Sequence, residues 1–266
     1  MHHEWIPPGV DPTRPSLARV YDALLGGTEN FGVDREVVER LTNAVPEVVD
    51  LVWCNRAFSG RVVDYLVREA GILQFIDLGS GLPTVENTHE VAQFANPEAR
   101  VVYVDLDPMV EPHARSILRT NLRATAITAD AMDVKAVLCH PDLANLIDLS
   151  RPVGLLMMSL LHLFPDRDHP HGLVKAYMNA LPRGSHLAAA IMMSSDNPKA
   201  KALEAMLQAT MGTGYFRSRE SIIRFYDGLE LVRPGVVHLP EWRPESSPGP
   251  LATWERLLLG GVARKP

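Results

Sequence analysis

The sequence predicts an α/β fold with a mostly parallel sheet, preceded by a helical segment. Two apolar runs, residues 73–78 and 101–106, have the length of strands, and an aspartate stands near the end of each. A glycine turn at residues 79–81 follows the first run. Beyond it, apolar runs alternate with segments whose apolar residues recur at helical spacing. Because this alternation is typical of parallel sheets covered by helices, we expect residues 71–266 to form the core of a single domain, 1–266.

The first 70 residues predict helices and no strand. Residues 1–15 contain four prolines and few apolar residues, so we expect an extended arm there. Ser16 is suited to accept a hydrogen bond from the first turn of the following helix, which the glycines at 26 and 27 would end. We expect residues 1–70 to form a helical cap or lid over the sheet. Its helices are predicted at residues 17–25, 34–45 and 48–69.

The alternation becomes regular after the glycine turn. Asn87 and Glu90 have the spacing of a capping box, and Pro108 stands where prolines often begin helices. Helices are predicted from residue 87 or 88, over 108–122, 172–181 and 199–210, and from about 218. Parallel strands are predicted at residues 73–78, 101–106, 124–130, 152–161 and 186–193. Residues 228–237 and 254–265 are predicted to pair as a final antiparallel hairpin.

Polar residues at the ends of the first two strands predict a ligand pocket. The carboxyl ends of parallel strands line the ligand crevice of an open α/β sheet, so these residues would face one pocket. Glycines let the backbone approach a ligand closely and reach positive φ at little cost. A carboxylate at the next strand end can accept both hydroxyls of a ribose, which favours a nucleoside-bearing cofactor. The residues concerned are Asp77, Gly79, Gly81, Asp105 and Asp107.

Two other nucleotide sites fit the glycine turn less well. A dinucleotide fingerprint has a third glycine where this chain has Thr84, and its ribose-binding acid lies about 20 residues further on. Asp105 lies farther from Gly79 than that, so NAD is disfavoured without being excluded. A phosphate-binding P-loop needs a lysine after the turn, and no lysine occurs between Gly79 and Pro108.

Composition agrees with one ordinary enzyme domain. The 266 residues are 46% hydrophobic, which is enough for a large core. No apolar run approaches the ~18 residues of a membrane-spanning helix, and the first residues lack the pattern of a secretory signal, so we expect a cytoplasmic protein without a membrane contact. The two cysteines have no C-x-x-C spacing. A net charge of −6 argues against nucleic acid as a partner.

Several stretches in the same order resemble one family. Its motifs match RVYDALLGGTENFGVDRE, IDLGSGLPTVENTHEVAQ, VVYVDLDPMV, LLHLFPDRDHP and GLELVRPGVVHLPEWRP. Together they cover nearly the whole chain and resemble the actinobacterial S-adenosylmethionine-dependent methyltransferases once catalogued as DUF574. The resemblance implies a class I methyltransferase fold: a Rossmann-like sheet of parallel strands with a C-terminal antiparallel hairpin and an N-terminal helical cap.

The resemblance also implies a place for each part of the cofactor. Asp77, Gly79 and Gly81 would lie beside the methionine part, and Asp105 would hold the ribose hydroxyls. Ser159 would lie near the methionine tail or the transferred methyl. The broader superfamily often has a third glycine where this chain has Pro83, which puts in doubt the donor to the methionine carboxylate. The adenine would contact Asp130, Ala131 and Met132.

Other residues carry alternative interpretations. Tyr21, Asn30 and Phe31 could close over the cofactor, or could only pack the helical cap onto the sheet. Arg56 could pair with the cofactor carboxylate, since guanidinium geometry suits such contacts, or form a surface ion pair. His162 could act as a general base if its pKa lies near the operating pH, or serve shape and hydrogen bonding.

The sequence therefore predicts transfer of a methyl group from S-adenosylmethionine to a small-molecule acceptor, with S-adenosylhomocysteine as product. A methyl already activated by positive sulfur needs no metal, and none is expected. Two alternatives stay open: a non-catalytic S-adenosylmethionine-binding regulatory protein, and an NAD-dependent oxidoreductase. A cavity beside the cofactor methyl, large enough for an acceptor, would favour the methyltransferase.

Overall fold

A computed structural model describes residues 6–84, 86–246 and 249–266; the first five residues of the predicted arm and Val85 of the loop after the glycine turn lie outside the described residues. The helices are α1 (Leu17–Leu24), α2 (Gly32–Ala44), α3 (Val48–Arg68), α4 (Thr88–Ala95), α5 (Val110–Ile117), α6 (Val134–Leu138), α7 (Pro141–Leu146), α8 (Pro170–Ala180), α9 (Pro198–Met211) and α10 (Arg219–Ile223). The strands are β1 (Gln74–Leu78), β2 (Arg100–Asp105), β3 (Ala124–Thr128), β4 (Gly154–Met158), β5 (His186–Met192), β6 (Glu230–Leu231), β7 (Val237–His238) and β8 (Leu258–Arg264).

The described strands form one mixed sheet. Its order is β3-β2-β1-β4-β5-β8-β6, and β7 pairs with β8 beside that path. The strands β1 to β5 are parallel to one another, whereas β8 is antiparallel to β5, β6 and β7. The predicted α/β class, with five parallel strands and a C-terminal antiparallel addition, is confirmed. The chain reverses its direction of travel across the sheet between β1 and β4, where α/β folds bind ligands.

The predicted final hairpin was wrong in its first strand, which is divided in two. Residues 228–237 do not form one strand, because Pro234 has no N–H to donate and Gly235 has a φ of +95°. The segment instead gives the two-residue strands β6 and β7, both paired with β8. Residues 254–257, predicted as the start of a strand, form a 3-10 turn before β8.

Other predicted boundaries also shift, and two helices were missed. α2 begins at Gly32 rather than near Asp34, because the Asp34 carboxylate reaches back to the N–H of Phe31 at 2.8 Å. α5 begins at Val110 rather than Pro108. α6 and α7 are too short for a helical period to be visible in the sequence. The predicted cap at Ser16 is confirmed, since its hydroxyl accepts from the N–H of Arg19 at 3.2 Å.

The sheet separates two apolar cores. Alternate residues of β1 face opposite sides, so that Phe75 packs with the core under α3 and Ile76 with the core on the other face. Near its centre β8 has a glycine at Gly260, where a Cβ would lie 2.6 Å from Phe58 Cζ and 2.5 Å from Leu239 Cδ2. The absence of a side chain there lets the Phe58 ring of α3 sit directly on the strand.

A buried ion pair joins α1 to α2. The Arg19 and Asp34 side chains are 4% and 0% exposed, and Arg19 Nε lies 2.8 Å from Asp34 Oδ2. The same carboxylate accepts hydrogen bonds from the N–H groups of Ser16, at 3.0 Å, and Phe31. One anion therefore satisfies the start of both helices and the guanidinium, and it fixes how the first two helices meet.

Asp34→Ala should destabilise the protein by about 3–5 kcal/mol, because removal of one partner leaves a buried charge uncompensated. Asp64→Ala is the matched control. Its pair with Arg68 is half exposed, and such surface pairs contribute at most about 1 kcal/mol. Urea denaturation of both variants measures the two effects, and equal losses would contradict a special role for Asp34.

Candidate functional site

A cavity of about 860 Å³ lies along the carboxyl edge of the sheet. The ends of β1 to β5 and the start of β8 form its floor, and residues of α1, α2, α3 and α9 form its walls and roof. Its position over the switch between β1 and β4 is where the topology predicts a ligand.

The glycine turn has the conformation that the sequence predicts. Gly79 and Gly81 both have a φ of +66°, in the left-handed region where a side chain is disfavoured. A Cβ on Gly79 would also lie 2.7 Å from Leu160 Cδ1. Ser159 at the end of β4 has a φ of +56°. All three line the cavity, so its floor presents close-approaching backbone.

Asp105 ties the loop after β1 to the loop after β2. Its Oδ2 accepts from the N–H of Gly81 at 2.8 Å, and its Oδ1 accepts from the N–H of Asp107 at 2.9 Å. Burial raises the pKa of Asp105, while the two backbone hydrogen bonds oppose that change. Each oxygen still has acceptor capacity toward the cavity.

Asp107 differs from Asp105 in its partners. Its Oδ1 accepts from the N–H of Met109 at 2.8 Å. Its Oδ2 is buried without a hydrogen-bond partner and lies 3.9 Å from Arg19 Nη1. Both Asp107 and Arg19 line the cavity, so one acceptor there has no donor within the described chain.

Asp77 is a buried carboxyl with an altered acidity. Burial raises its pKa to about 6, against the opposing effects of the Thr88 hydroxyl and the nearby Arg56. Thr88 Oγ1 donates to Asp77 Oδ2 at 2.7 Å. Without a cation in direct contact, this carboxyl lies at the cavity in a poorly solvated setting.

α3 supplies a polar cluster to the roof. Arg56 Nη2 donates to Thr84 Oγ1 at 3.0 Å, while its Nε is buried without an acceptor. Asn55 Nδ2 donates to the hydroxyl of Tyr21 at 2.9 Å, and Asn55 Oδ1 is buried without a donor. All three of Tyr21, Asn55 and Arg56 line the cavity. Arg56 forms no ion pair with any described carboxylate within 4.0 Å, unlike the surface pair considered from the sequence.

Only two of the three predicted adenine contacts line the cavity. Asp130 and Ala131 line the cavity, whereas Met132 lies outside its lining. The Met132 N–H instead donates to Asp130 Oδ1 at 2.8 Å, which holds the aspartate in place. Leu106, after the end of β2, also lines the cavity and is 65% exposed.

Asn30 and Phe31 also lie outside the cavity lining. Asn30 Nδ2 donates to the buried Asp22 Oδ2 at 2.8 Å, and the Phe31 ring packs under the Arg19 guanidinium at 5.1 Å. Both therefore support the cap, and through Arg19 they bear on the cavity wall. This arrangement matches the packing interpretation more closely than direct contact with a cofactor.

His162 lines the cavity but does not meet the condition for a general base near neutral pH. Burial, followed by the charge of Arg217, lowers the pKa of His162 to about 3. Its Nδ1 accepts from the N–H of Met192 at 3.3 Å, which assigns the proton to Nε2 in the neutral ring. The imidazole is thus a neutral hydrogen-bond donor.

Sequence reasoning missed Asn55, Ser59 and Arg19 among the polar residues that line the cavity. Asn55 and Ser59 stand four residues apart on α3, within a stripe that also contains Leu51 and Phe58. Polar residues on the buried face of an otherwise apolar helix were the available signal. Arg19 offered a similar signal between Ala18 and Val20.

Within residues 6–84, 86–246 and 249–266, no group of three or more histidine, cysteine, aspartate or glutamate side chains has a metal-binding arrangement. No helix in these residues is long and apolar enough to cross a membrane.

Fold and cavity together define a class I methyltransferase architecture. The chain is 42% identical to a candidate methyltransferase from Thermobifida fusca, with a TM-score of 0.94 over 98% of this chain and 99% of that one. It is 34% identical to a DUF574 family protein from Streptomyces avermitilis, with a TM-score of 0.92 over 96% and 99% of the two chains. An O-methyltransferase family protein from Burkholderia thailandensis shares only the fold, at 16% identity and a TM-score of 0.51 over 77% of this chain and 55% of that one.

The sequence also matches the S-adenosyl methyltransferase family over residues 3–266, and the chain belongs to that family. It is an S-adenosylmethionine-dependent methyltransferase, which confirms the predicted activity over the regulatory and NAD-dependent alternatives. No functionally curated protein matches the sequence significantly.

Asp77→Asn should remove a pH dependence from the stability of the protein free of ligand. The pKa of Asp77 is about 6 when folded and 3.8 ordinarily, so between those values the folded state binds more protons than the unfolded state. The contribution of Asp77 to the free energy of unfolding is therefore fully present below about pH 4 and is lost as pH rises through 6. The complete loss amounts to about 3 kcal/mol. Relative to the wild type, Asp77→Asn should gain stability from pH 4 to pH 7.

Urea denaturation across that range checks this expectation. Thr88→Val is the informative second variant, because loss of its hydroxyl removes a hydrogen bond that lowers the pKa of Asp77. The upper limit of the pH-dependent window should then rise above pH 6, while its lower limit, set by the unfolded state, stays near pH 4. Parallel stability curves for the wild type and Asp77→Asn would contradict the raised pKa.

Proposed function

We propose that the protein methylates a small-molecule acceptor, with S-adenosylmethionine bound across the ends of β1, β2 and β3. The observation that carries this proposal is a set of buried polar atoms without partners on residues that line the cavity, next to the loop that Asp105 fixes. Arg56 Nε offers a donor, and Asp107 Oδ2 offers an acceptor. Since buried polar groups are normally paired, such atoms fit a polar ligand.

The residues fit the chemical groups of this cofactor in order along the sheet. Arg56 would bind the carboxylate of the methionine part, and Asp77 would face its ammonium group. Asp105 would accept from the ribose hydroxyls with the lone pairs that its two backbone donors leave free. Ala131 would contact the adenine, and Asp130 its amino group, at the end of β3.

The glycine turn would let the backbone approach the cofactor closely. Gly79 and Gly81 present backbone without Cβ atoms to the part of the cavity that would hold the methionine portion. Ser159 stands across from them at the end of β4. Asn30 and Phe31, as supports of α1 and α2, would act only through the cap. Met132 would act through the carboxylate of Asp130.

When bound, the cofactor supplies a methyl group already activated by a positively charged sulfur. The chain's task is then alignment of two molecules, and orientation alone can lower the barrier by about 7–11 kcal/mol. Backbone at Gly79 and Ser159 and the neutral donor His162 are positioned to orient ligands. His162, neutral and hydrogen-bonded at Nδ1, would not remove a proton from the acceptor.

Residues 1–70 would act as the cap of this site. α1 and α3 line the cavity directly, and the Arg19–Asp34 pair holds α1 against α2. Both partners of that pair belong to the cap, so opening of the cap as a lid would instead separate Arg19 from Asp107, whose Oδ2 lies 3.9 Å from Arg19 Nη1. Hydrogen exchange at residues 17–24, with and without S-adenosylhomocysteine, distinguishes a lid from a fixed cap: protection that rises on binding indicates a lid.

S-Adenosylmethionine and S-adenosylhomocysteine should raise the melting temperature, whereas NAD and ATP should not. A ligand that binds only the native state stabilises it by about 2.7 kcal/mol at 100 times its dissociation constant. A thermal shift with NAD, and none with either adenosyl compound at millimolar concentration, would contradict the proposed occupant.

Arg56→Met should weaken S-adenosylhomocysteine binding about 10- to 150-fold, because a charged hydrogen bond contributes about 1.5–3 kcal/mol. Arg68→Met on the same helix is the matched control, since Arg68 forms an exposed pair with Asp64. Calorimetry measures both affinities. Equal effects of the two substitutions would exclude Arg56 from the site.

Transfer itself is tested with methyl-labelled S-adenosylmethionine and a metabolite extract. A labelled small molecule should form with the wild type and form more slowly with Arg56→Met at limiting cofactor. Label found only in protein or nucleic acid would contradict a small-molecule acceptor.

A further inference from the structure

The cavity is wider than the part assigned to the cofactor. Its floor runs from Ala131 after β3 to Leu258 at the start of β8. In the sheet order these strands are five steps apart, which corresponds to about 24 Å at a spacing of about 4.8 Å between strands. The proposed cofactor site covers the ends of β1, β2 and β3. The remaining half lies over β4, β5 and β8, under α2, α3 and α9.

The two halves differ in charge. The charged residues that line the cavity belong to the N-terminal arm, α1, α3 and the ends of β1, β2 and β3. Over β4, β5 and β8 the lining within the described chain is apolar, apart from Ser159, His162 and Thr213 and the uncharged Asn55 and Ser59 that α3 contributes from above. His162 carries no charge near neutral pH, because burial keeps its ring neutral. The apolar lining includes Leu41, Leu51, Met192, Leu203, Leu207 and Leu258.

Asn55 of α3 brings an unpartnered acceptor to the lining of the cavity. Its Oδ1 is buried and has no donor, while its Nδ2 donates to the Tyr21 hydroxyl at 2.9 Å. The free atom can therefore only accept a hydrogen bond. One O–H or N–H group of a ligand in the cavity would satisfy it.

We infer that the half of the cavity over β4, β5 and β8 binds an uncharged, largely apolar acceptor that carries a single O–H or N–H donor, which Asn55 Oδ1 receives. This inference rests on the proposed function. A charged acceptor is disfavoured because the apolar walls offer no counter-charge, and burial of an unpaired ion is costly. The apolar area supplies affinity, and the one polar contact supplies orientation.

Three naphthalene probes of nearly equal shape test the inference on protein saturated with S-adenosylhomocysteine at pH 7. Calorimetry should give binding of 2-naphthol at least tenfold tighter than binding of 2-naphthoate. Binding of 2-naphthol should also exceed that of 2-methoxynaphthalene several-fold, because the methyl ether has no donor for Asn55. The second preference should vanish in Asn55→Leu, while the bound S-adenosylhomocysteine is retained.

A second variant introduces a charge into the apolar half, so that the test does not depend on the Asn55 contact alone. Leu207→Lys places an ammonium group at the wall on α9, and the preference for 2-naphthol over 2-naphthoate should shrink or reverse. Leu122→Lys is the control, because Leu122 is 89% exposed and lies outside the cavity. Melting temperature confirms that both variants fold.

The inference is overturned if 2-naphthoate binds as tightly as 2-naphthol to the saturated wild type, or if 2-naphthol binds only when S-adenosylhomocysteine is left out. Failure of S-adenosylhomocysteine to bind would instead refute the proposed cofactor site. In that case the effect of Leu207→Lys on the naphthol preference, measured without the cofactor product, still decides whether the apolar half binds uncharged molecules.

Discussion

The carboxylate of Asp105 holds together the two loops on which the cavity is built. One oxygen fixes the glycine turn after β1 and the other fixes the turn after β2, so that both loops keep one relative position. These hydrogen bonds to an anion are stronger than ordinary backbone hydrogen bonds, and they are made in a poorly solvated place. The floor of the cavity therefore exists before any ligand binds, and a ligand needs to order little of the protein.

Charge divides the cavity along the sheet. Carboxyl groups end β1 and β2 and follow β3, while apolar side chains and a neutral imidazole stand at the ends of β4 and β5. Such a division suits two ligands of different character that must meet at one point. The unpartnered atoms of Asn55 and Arg56 lie on adjacent residues of α3, and both residues line the cavity.

Much of this arrangement can be predicted from the sequence, and the reasons are local. The turn at Gly79 and Gly81 and the role of Asp105 could be predicted, because strand, glycine and carboxylate follow one another within a short stretch of sequence. The roof was harder to predict. Asn55 and Arg19 come from helices distant in sequence from the strands, and only folding brings them to the cavity. The pKa of His162 depends on burial and on Arg217, which stands far along the chain.

The C-terminal strands show a different limit. Residues 228–237 were predicted as one strand of a final hairpin, but the missing N–H of Pro234 and the positive φ of Gly235 divide them. The boundary of α2 was displaced because Asp34 acts from inside the helix and not from its start. In both places a backbone hydrogen-bond requirement outweighed the pattern of side chains.

The contact of Phe58 with Gly260 has a consequence for how this protein can vary. α3 carries Phe58 into the core and, on the preceding turn, carries Asn55 and Arg56 to the cavity. The missing side chain at Gly260 thus sets the height of two binding groups above the strand ends. A larger residue there would collide with the ends of the Phe58 and Leu239 side chains, and a shift of α3 to relieve that collision would change core packing and ligand geometry together. The strand and the helix that cross at this point therefore form a shared constraint, within which neither the packing nor the pocket can be adjusted alone.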